Sequence, residues 1–179
     1  MLVSYQPRGL RPLANCLSQN NPLHISIFPS YEPSTNDFAP IRTPLQFSLL
    51  LSSTIDVFDL RAKHNAAGNL TGDLGLLQAV DDRLAAYGFE TNTGHRLVCV
   101  VDMRGRRAAA GRQGLRDVEL KPVFKAMQEA WVRLCQNPFF DLDEHVPLGG
   151  KGGRRITSRR FGEDMKKIGE GWTPGVQNL

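Results

Sequence analysis

The chain has few of the residues from which catalytic or metal sites are built. Its 179 residues include three cysteines, none of them in a Cys-x-x-Cys pair, and four histidines that lie far apart. Zinc sites need such ligands at short, repeated spacings. No serine stands in a Gly-x-Ser-x-Gly motif, and no cysteine has a recognisable histidine partner motif. We therefore predict that the chain is not an enzyme and binds no metal and no cofactor.

Long apolar runs are also missing. No stretch approaches the about eighteen apolar residues that span a bilayer, and the first sixteen residues lack the continuous apolar segment of a signal peptide. Cys99 lies inside the apolar run Leu97–Val101, and Cys135 lies near the end of another apolar segment, so both resemble buried hydrophobic residues in a reducing compartment. We expect a cytoplasmic protein whose contact with membranes is at most peripheral.

The net charge of +4 is modest and unevenly distributed. Basic residues cluster at Arg104–Arg112 and at Lys151–Arg160, which permits a weak attraction to acidic phospholipid or protein. No aromatic residues interleave with them, so we predict no nucleic-acid binding. The segment Gly149–Gly153 has glycine where a phosphate-binding P-loop requires serine or threonine after the lysine, and it is interpreted as a flexible loop.

The most informative stretch is Leu45–Leu60, which has the spacing of a helix that is apolar on nearly every side. One broad face carries Phe47, Leu50, Leu51, Ile55, Val57 and Phe58. The other face carries two leucines among Ser and Asp, instead of the charges that a solvated face usually has. This pattern fits either a central core helix or a helix covered on its outer side by another protein.

We predict that the outer side of this helix binds a partner protein. Its leucines would lose water on docking, and Asp56 would meet an arginine, a lysine or a backbone N–H. The predicted partner-binding residues are Leu45, Leu49, Ser52, Asp56 and Asp59. The close spacing of Asp56 and Asp59 is also that of a carboxylate pair, but no convergent polar group accompanies them.

The remaining elements predict an α+β fold, with one helix on one face of an antiparallel sheet and two on the other. Gaps of three or four residues between strands favour antiparallel hairpins. The predicted order is strand Leu23–Phe28, the helix, strands Leu74–Val80, Leu84–Thr91 and Leu97–Val101, and helices Asp117–Gln136 and Ser158–Ile168. The segment Pro29–Pro44 is predicted to be a loop, and a further strand is expected, if anywhere, within residues 10–21.

Four motifs in order resemble the sedlin family, subunits of the transport protein particle (TRAPP) tethering complex. They are Asn21-Pro22-Leu23-His24-Ile25, Thr54-Ile55-Asp56-Val57-Phe58-Asp59, Asn137-Pro138-Phe139-Phe140 and Ile156-Thr157-Ser158-Arg159-Arg160-Phe161. The segment Tyr87–Thr93 is closer to the sedlin-like branch than to sedlin itself. The resemblance covers about residues 20–168, with 1–20 predicted as an irregular segment, 21–168 as the domain and 169–179 as a frayed tail.

The resemblance implies a longin-like (profilin-like) fold with a five-stranded antiparallel sheet. It implies a non-catalytic adaptor that links the small core subunits of the complex to a large subunit in ER–Golgi and intra-Golgi traffic. A Rab-type GTPase would be an indirect partner, and the protein would lie peripherally on Golgi or early secretory membranes. In the family the acid at the place of Asp56 is associated with partner contact. The alternative is another longin-type trafficking module, either an adaptor small chain or a SNARE regulatory domain.

Overall fold

The computed structural model describes residues 2–7, 22–32, 36–65, 72–103, 120–140 and 155–172, with the backbone alone at 2–7, 31–32 and 62–65. The elements in chain order are β1 Leu2–Pro7, β2 His24–Ile27, β3 Ser30–Glu32, β4 Asp37–Ala39, α1 Pro44–Asn65, β5 Asp73–Ala79, β6 Leu84–Glu90, β7 His95–Asp102, α2 Lys121–Cys135 and α3 Arg159–Gly171. The predicted α+β class, with an antiparallel sheet and three helices, is confirmed.

The main sheet has the strand order β2-β1-β7-β6-β5, and every neighbouring pair is antiparallel. Short turns join β5 to β6 and β6 to β7, as the gaps in the sequence predicted. The central strand β7 is buried from His95 to Val101. An unbroken apolar run predicts a strand covered on both faces, and Leu97–Val101 does lie in the middle of the sheet, buried on both faces.

The two faces of the sheet carry different helices because side chains alternate along each strand. Ala86, Val98 and Val100 face α1, in one buried cluster. Tyr87 and Cys99 face the opposite way and pack with α2 and α3 in a second cluster. The sheet therefore has one helix on one face and two on the other.

The N-terminal segment differs from the prediction. Residues 1–20 were expected to be irregular, but Leu2–Pro7 form β1, which pairs Leu2 with Ile27 of β2 and with Val100 of β7. Strand β1 has a weak local pattern, but pairing on both edges gives its backbone N–H and C=O groups hydrogen-bond partners. Pro7 is the last residue of the strand, where a missing N–H disturbs the pairing least. Residues 8–21, where a further strand was considered, lie outside the described residues.

The predicted loop Pro29–Pro44 is also more ordered than expected. It contains a two-stranded hairpin, β3 with β4, whose turn includes Asn36 at a positive φ of 54°. Ser30 Oγ donates a hydrogen bond to the carboxylate of Asp102 at the end of β7. Arg83 Nε donates to the same carboxylate at 3.0 Å. These contacts fix the hairpin at one end of the main sheet.

The second helix ends where the sequence predicted, just before Asn137-Pro138. It begins at Lys121 with Pro122 in the first turn, and the predicted cap Asp117 lies outside the described residues. The residues that follow it, Phe139, Phe140 and Leu142, form an apolar tail, and their hydrophobicity predicts that they fold back on the core. The ring of Phe140 packs 5.9 Å from that of Trp131.

Phe139 contradicts the prediction that this tail returns to the core, because its side chain is 94% exposed. The N–H groups of Phe139 and Phe140 donate to the side-chain and main-chain oxygens of Asn137. This turn directs only Phe140 towards Trp131. Leu142, the third residue of the predicted tail, lies outside the described residues.

A glycine within a strand predicts a bulge or a close approach of neighbouring atoms, and both Gly75 and Gly88 fit this prediction. Gly75 has a positive φ of 61° beside a register shift in β5. Gly88 lies under α1, where an added Cβ would be 2.5 Å from Leu77 Cδ1 and 2.8 Å from Phe58 Cε2. Only a residue without a side chain lets the helix approach the sheet this closely.

We predict that Gly88→Ala lowers the free energy of unfolding by about 1–3 kcal/mol, because the added methyl group overpacks a closed core. Denaturant unfolding measures the change.

The matched control for this prediction is Gly162→Ala in α3, where an added Cβ has nothing within 4 Å. Alanine should stabilise that helix by about 0.5–1 kcal/mol. Equal behaviour of the two variants would contradict the close packing at Gly88.

Candidate partner-binding face of the first helix

The first helix begins at a reciprocal cap. The backbone N–H of Thr43 donates to Gln46 Oε1 at 2.9 Å, and the N–H of Gln46 donates to Thr43 Oγ1 at 3.3 Å. Pro44 occupies the first helical position, where its missing N–H costs nothing. Threonine followed by proline is a typical helix start, and α1 begins at this dipeptide.

The inner face of α1 is buried against the sheet as predicted, except that Val57 is only half-buried. The buried apolar residues are Phe47, Leu50, Leu51, Ile55 and Phe58. Thr54 is also fully buried, and its hydroxyl donates to the carbonyl oxygen of Leu50 at 2.7 Å. The one polar group on this face is therefore satisfied within the helix itself.

The outer face of α1 carries exposed leucines among polar residues. Leu45 is 71% exposed, Leu49 64% and Leu60 58%. Ser52 and Asp56 are exposed between them. We call Leu45, Leu49, Ser52, Asp56 and Leu60 the outer stripe, since spacings of three and four residues place them on one side of a helix. Exposed apolar patches on a domain mark contact sites for other molecules, and Leu45 and Leu49 lie about one helical turn apart.

Asp56 differs from its neighbour Asp59, although both were predicted to meet a partner. Asp56 is exposed and makes no hydrogen bond or ion pair in the described part of the chain. Asp59 forms an ion pair with Arg96 of β7, whose side chain is only 5% exposed. The sequence prediction thus grouped a free acid with one that is already engaged inside the domain.

Arg96 was missed in the sequence analysis. Its guanidinium carbon lies 5.1 Å from the ring centroid of Phe58, and its buried Nε has no hydrogen-bond partner among the described residues. A signal was present, because an arginine that directly precedes a fully buried strand run needs a counter-ion nearby. The pair of Arg96 with Asp59 joins the sheet to the second half of α1.

A groove of about 280 Å³ lies beside the outer stripe. Its lining residues are Arg42, Gln46, Leu49, Leu50, Ser53 and Val80. At its rim Arg42 forms an ion pair with Asp81. Burial alone would raise the pKa of Asp81, but hydrogen bonds from the backbone N–H groups of Arg83 and Leu84, together with Arg42, lower it. The rim is therefore charged but internally neutralised.

The histidine and cysteine side chains that could take part in catalysis are packed as structural residues. Burial lowers the pKa of His24 and of His95. The His24 ring packs edge-on against Phe161 at 5.2 Å, and the His95 ring lies 4.7 Å from Trp131. Burial raises the pKa of the Cys99 thiol to about 12, so this cysteine stays protonated and unreactive at neutral pH.

Within the described ranges, no group of three or more His, Cys, Asp or Glu side chains could hold a metal ion. The helices of these ranges include none that is long and apolar enough to cross a membrane. What the described surface does bring together is a line of leucines around one free carboxylate. This composition is typical of a face that docks another protein.

The chain belongs to the Sedlin family, whose sequence profile matches residues 17–171. It is also 29% identical over 127 residues to the "Trafficking protein particle complex subunit 2-like protein" of Bos taurus, which covers 68% of this chain and 77% of that relative. The resemblance to the sedlin-like branch that the motifs suggested is confirmed. Strand β1 precedes the matched stretch.

We predict that Asp59→Asn lowers the free energy of unfolding by about 1–3 kcal/mol, because it removes the charge partner of buried Arg96. Asp56→Asn, three residues earlier, should change it by less than about 0.5 kcal/mol. Chemical denaturation of both variants measures the difference. Equal destabilisation would contradict the assignment of a structural role to Asp59 alone.

Buried His95 and half-buried His24 predict a loss of stability in acid. Because folding lowers their pKa from the ordinary 6.5, the unfolded chain takes up these protons first. Their contribution is complete above that value and is lost as pH falls below it. We expect the melting temperature to fall between pH ~7.5 and ~5.5, and to fall less in the double variant His24→Gln/His95→Gln. An identical fall would show that other groups are responsible.

Proposed function

We propose that this protein is a non-catalytic adaptor subunit of a TRAPP vesicle-tethering complex. In this role it links small core subunits to a large subunit and serves Rab-type GTPase exchange indirectly. The observation that carries the proposal is the outer stripe, where three leucines remain exposed on a helix whose other side is fully packed. Membership of the Sedlin family and the name of the bovine relative support the same reading.

A longin-like architecture of residues 21–168 is part of the proposal. The antiparallel sheet, with α1 on one face and α2 and α3 on the other, is the arrangement that such a fold requires. In this architecture the outer side of α1 remains available while the sheet is closed on both faces. An adaptor needs such a surface, because it acts by binding and supplies no reaction chemistry.

We place the protein in the cytoplasm, peripherally associated with Golgi or early secretory membranes. Exposed Arg155, Arg159 and Arg160 at the start of α3 are compatible with weak attraction to acidic phospholipid. Arg159 is already shared with Glu163 at 2.9 Å. We therefore assign membrane recruitment to the assembly and at most an auxiliary part to these arginines.

The second candidate function is another longin-type trafficking module, either an adaptor small chain or a SNARE regulatory domain. The exposed leucines of α1 suit any of these, because each binds a protein segment on the domain surface. The candidates differ in what they bind. The TRAPP adaptor should be found with several small subunits and a large one, whereas a SNARE regulator should bind a helical SNARE segment.

The test is affinity purification of the tagged full chain from its own cells, followed by identification of the bound proteins. We predict recovery of small TRAPP subunits together with a large one. The double variant Leu45→Arg/Leu49→Arg should lose at least one of these subunits by about tenfold or more, because it places two charges in the docking face.

The matched control is Val132→Arg/Phe139→Arg, which changes two exposed apolar residues at the α2 side of the domain. It should retain all subunits, and both variants should keep the wild-type melting temperature within a few degrees. Recovery of SNARE or coat proteins without TRAPP subunits would contradict the proposed function.

A further inference from the structure

We propose that the turn that follows α2 is a docking motif for a second protein. The motif is Asn137-Pro138-Phe139, which we call the Asn-Pro-Phe turn. Its partner is a protein domain with an apolar pocket, which takes the ring of Phe139 and hydrogen-bonds the carboxamide of Asn137. Neither α1 nor the assembly of TRAPP subunits takes part in this contact, which therefore lies outside the proposed function.

The backbone of the Asn-Pro-Phe turn is fixed by its own hydrogen bonds. The N–H of Asn137 donates to the carbonyl oxygen of Leu134 at 3.1 Å, which joins the turn to the end of α2. The N–H of Phe140 donates to the carbonyl oxygen of Asn137 at 3.0 Å, the bond that closes a β-turn. Asn137 Oδ1 also accepts from the N–H of Phe139 at 3.2 Å. Since the proline between them has a fixed φ, the turn is preformed.

The side chains of this turn are presented to solvent. Phe139 is 94% exposed, and Asn137 and Pro138 are exposed beside it. Phe140 is instead half-buried, with its ring 5.9 Å from that of Trp131, so it attaches the turn to the domain. A phenylalanine is among the largest apolar contributors to folding or binding when it is buried. The domain holds this one in water on a rigid support.

These properties select the mode of recognition. Addition of a β-strand needs free backbone groups, but the N–H groups of Phe139 and Phe140 are used inside the turn, and Pro138 has none. The partner therefore has to read side chains that are held in one arrangement. A preformed turn loses little conformational entropy on binding, and an aromatic side chain that fills a pocket is a typical energetic anchor of an interface.

A lipid surface fits the Asn-Pro-Phe turn poorly. Asp141, Asp143 and Glu144 follow it in the chain, and an anionic headgroup region repels them. Insertion into a bilayer also needs an apolar face of several residues, whereas within 120–140 the other exposed large hydrophobic residue is Val132 on the preceding helix. The acidic residues instead favour a protein pocket with a basic rim.

A second copy of the chain also fits poorly. The groove of about 280 Å³ found on the described surface lies beside α1, on the face of the sheet opposite α2. Docking of Phe139 into the groove of the next copy would be a head-to-tail contact, which builds open chains unless the rotation closes. Arg42, Gln46 and Ser53 contribute to the lining of this groove, so it lacks the apolar walls that a phenyl ring prefers.

The test measures binding of the full chain to a purified EH domain, a module that binds Asn-Pro-Phe peptides, by titration calorimetry. We expect saturable binding that a synthetic Asn-Pro-Phe peptide displaces. Phe139→Ala should weaken it by about tenfold or more, because the ring that fills the pocket is removed. The matched control is Phe38→Ala, which truncates another exposed phenylalanine and should bind like the wild type.

A second variant separates reading of the side chain from support of the turn. Asn137→Asp keeps an oxygen that can accept from the N–H of Phe139, but it removes the NH₂ donor of the carboxamide. It should weaken binding by about tenfold, because a polar group of the pocket loses its partner. Both Asn137→Asp and Phe139→Ala should keep the wild-type melting temperature within a few degrees, since these side chains are exposed.

The outcomes are distinguishable from those of the proposed function, because no TRAPP subunit enters the measurement. Absence of binding by the wild type, or equal binding by Phe139→Ala, overturns the inference. Loss of binding in Phe139→Ala but not in Asn137→Asp shows an unspecific apolar contact and overturns it as well. Binding to acidic phospholipid vesicles that depends on Phe139, or self-association that Phe139→Ala abolishes, would assign the turn to a membrane or to a second copy instead.

Discussion

The contact of Phe58 with the sheet at Gly88 determines how the first helix is rotated. Phe58 has no exposed surface, and the missing side chain of Gly88 is what lets its ring approach the strand. One residue further, Asp59 reaches the buried guanidinium of Arg96. With these positions fixed on the inner side, Leu45, Leu49 and Asp56 have to face outwards. The packing of the core therefore determines which residues of α1 face outwards.

The exposed leucines of the outer stripe do not contribute the free energy that their burial would give. Fully burying one leucine side chain is worth about 1.5–3 kcal/mol, and three of them lie on one helix. The domain does not need this contribution, because its two clusters already fill both faces of the sheet. A partner that covered the stripe would gain this burial instead.

The sequence allowed the main architecture to be predicted where the periodicity was strong. The inner face of α1, the buried strand around Cys99 and the close approach at Gly88 all followed from local patterns. Leu45, Leu49, Ser52 and Asp56 were assigned to the outer side of this helix for the same reason, because leucines stood where a solvated helix has charges. Leu60 was not part of that prediction, and Asp59 was included in it. What local patterns could not supply was pairing between distant segments. Strand β1 forms because β2 and β7 pair with it on either side. Asp59 pairs with Arg96, which lies 37 residues further along the chain, so the local pattern around Asp59 did not indicate this contact.

At Phe139 the local pattern predicted a contact that does not form. Its apolar side chain predicted a return to the core, but a local turn at Asn137 directs only Phe140 inwards. Side-chain direction in an irregular segment depends on backbone hydrogen bonds that hydrophobicity does not indicate. For the same reason the hairpin β3–β4 was missed, since its position depends on Ser30 meeting the distant carboxylate of Asp102.

The most direct measurement of the central claim is covalent footprinting of side chains in the free protein and in its purified assembly. The account predicts that Leu45, Leu49 and Leu60 react readily in the free chain and are strongly protected in the assembly, while Val132 changes little. Equal labelling of the three leucines in both states would contradict it, because the face would then be bare in the complex that is supposed to cover it.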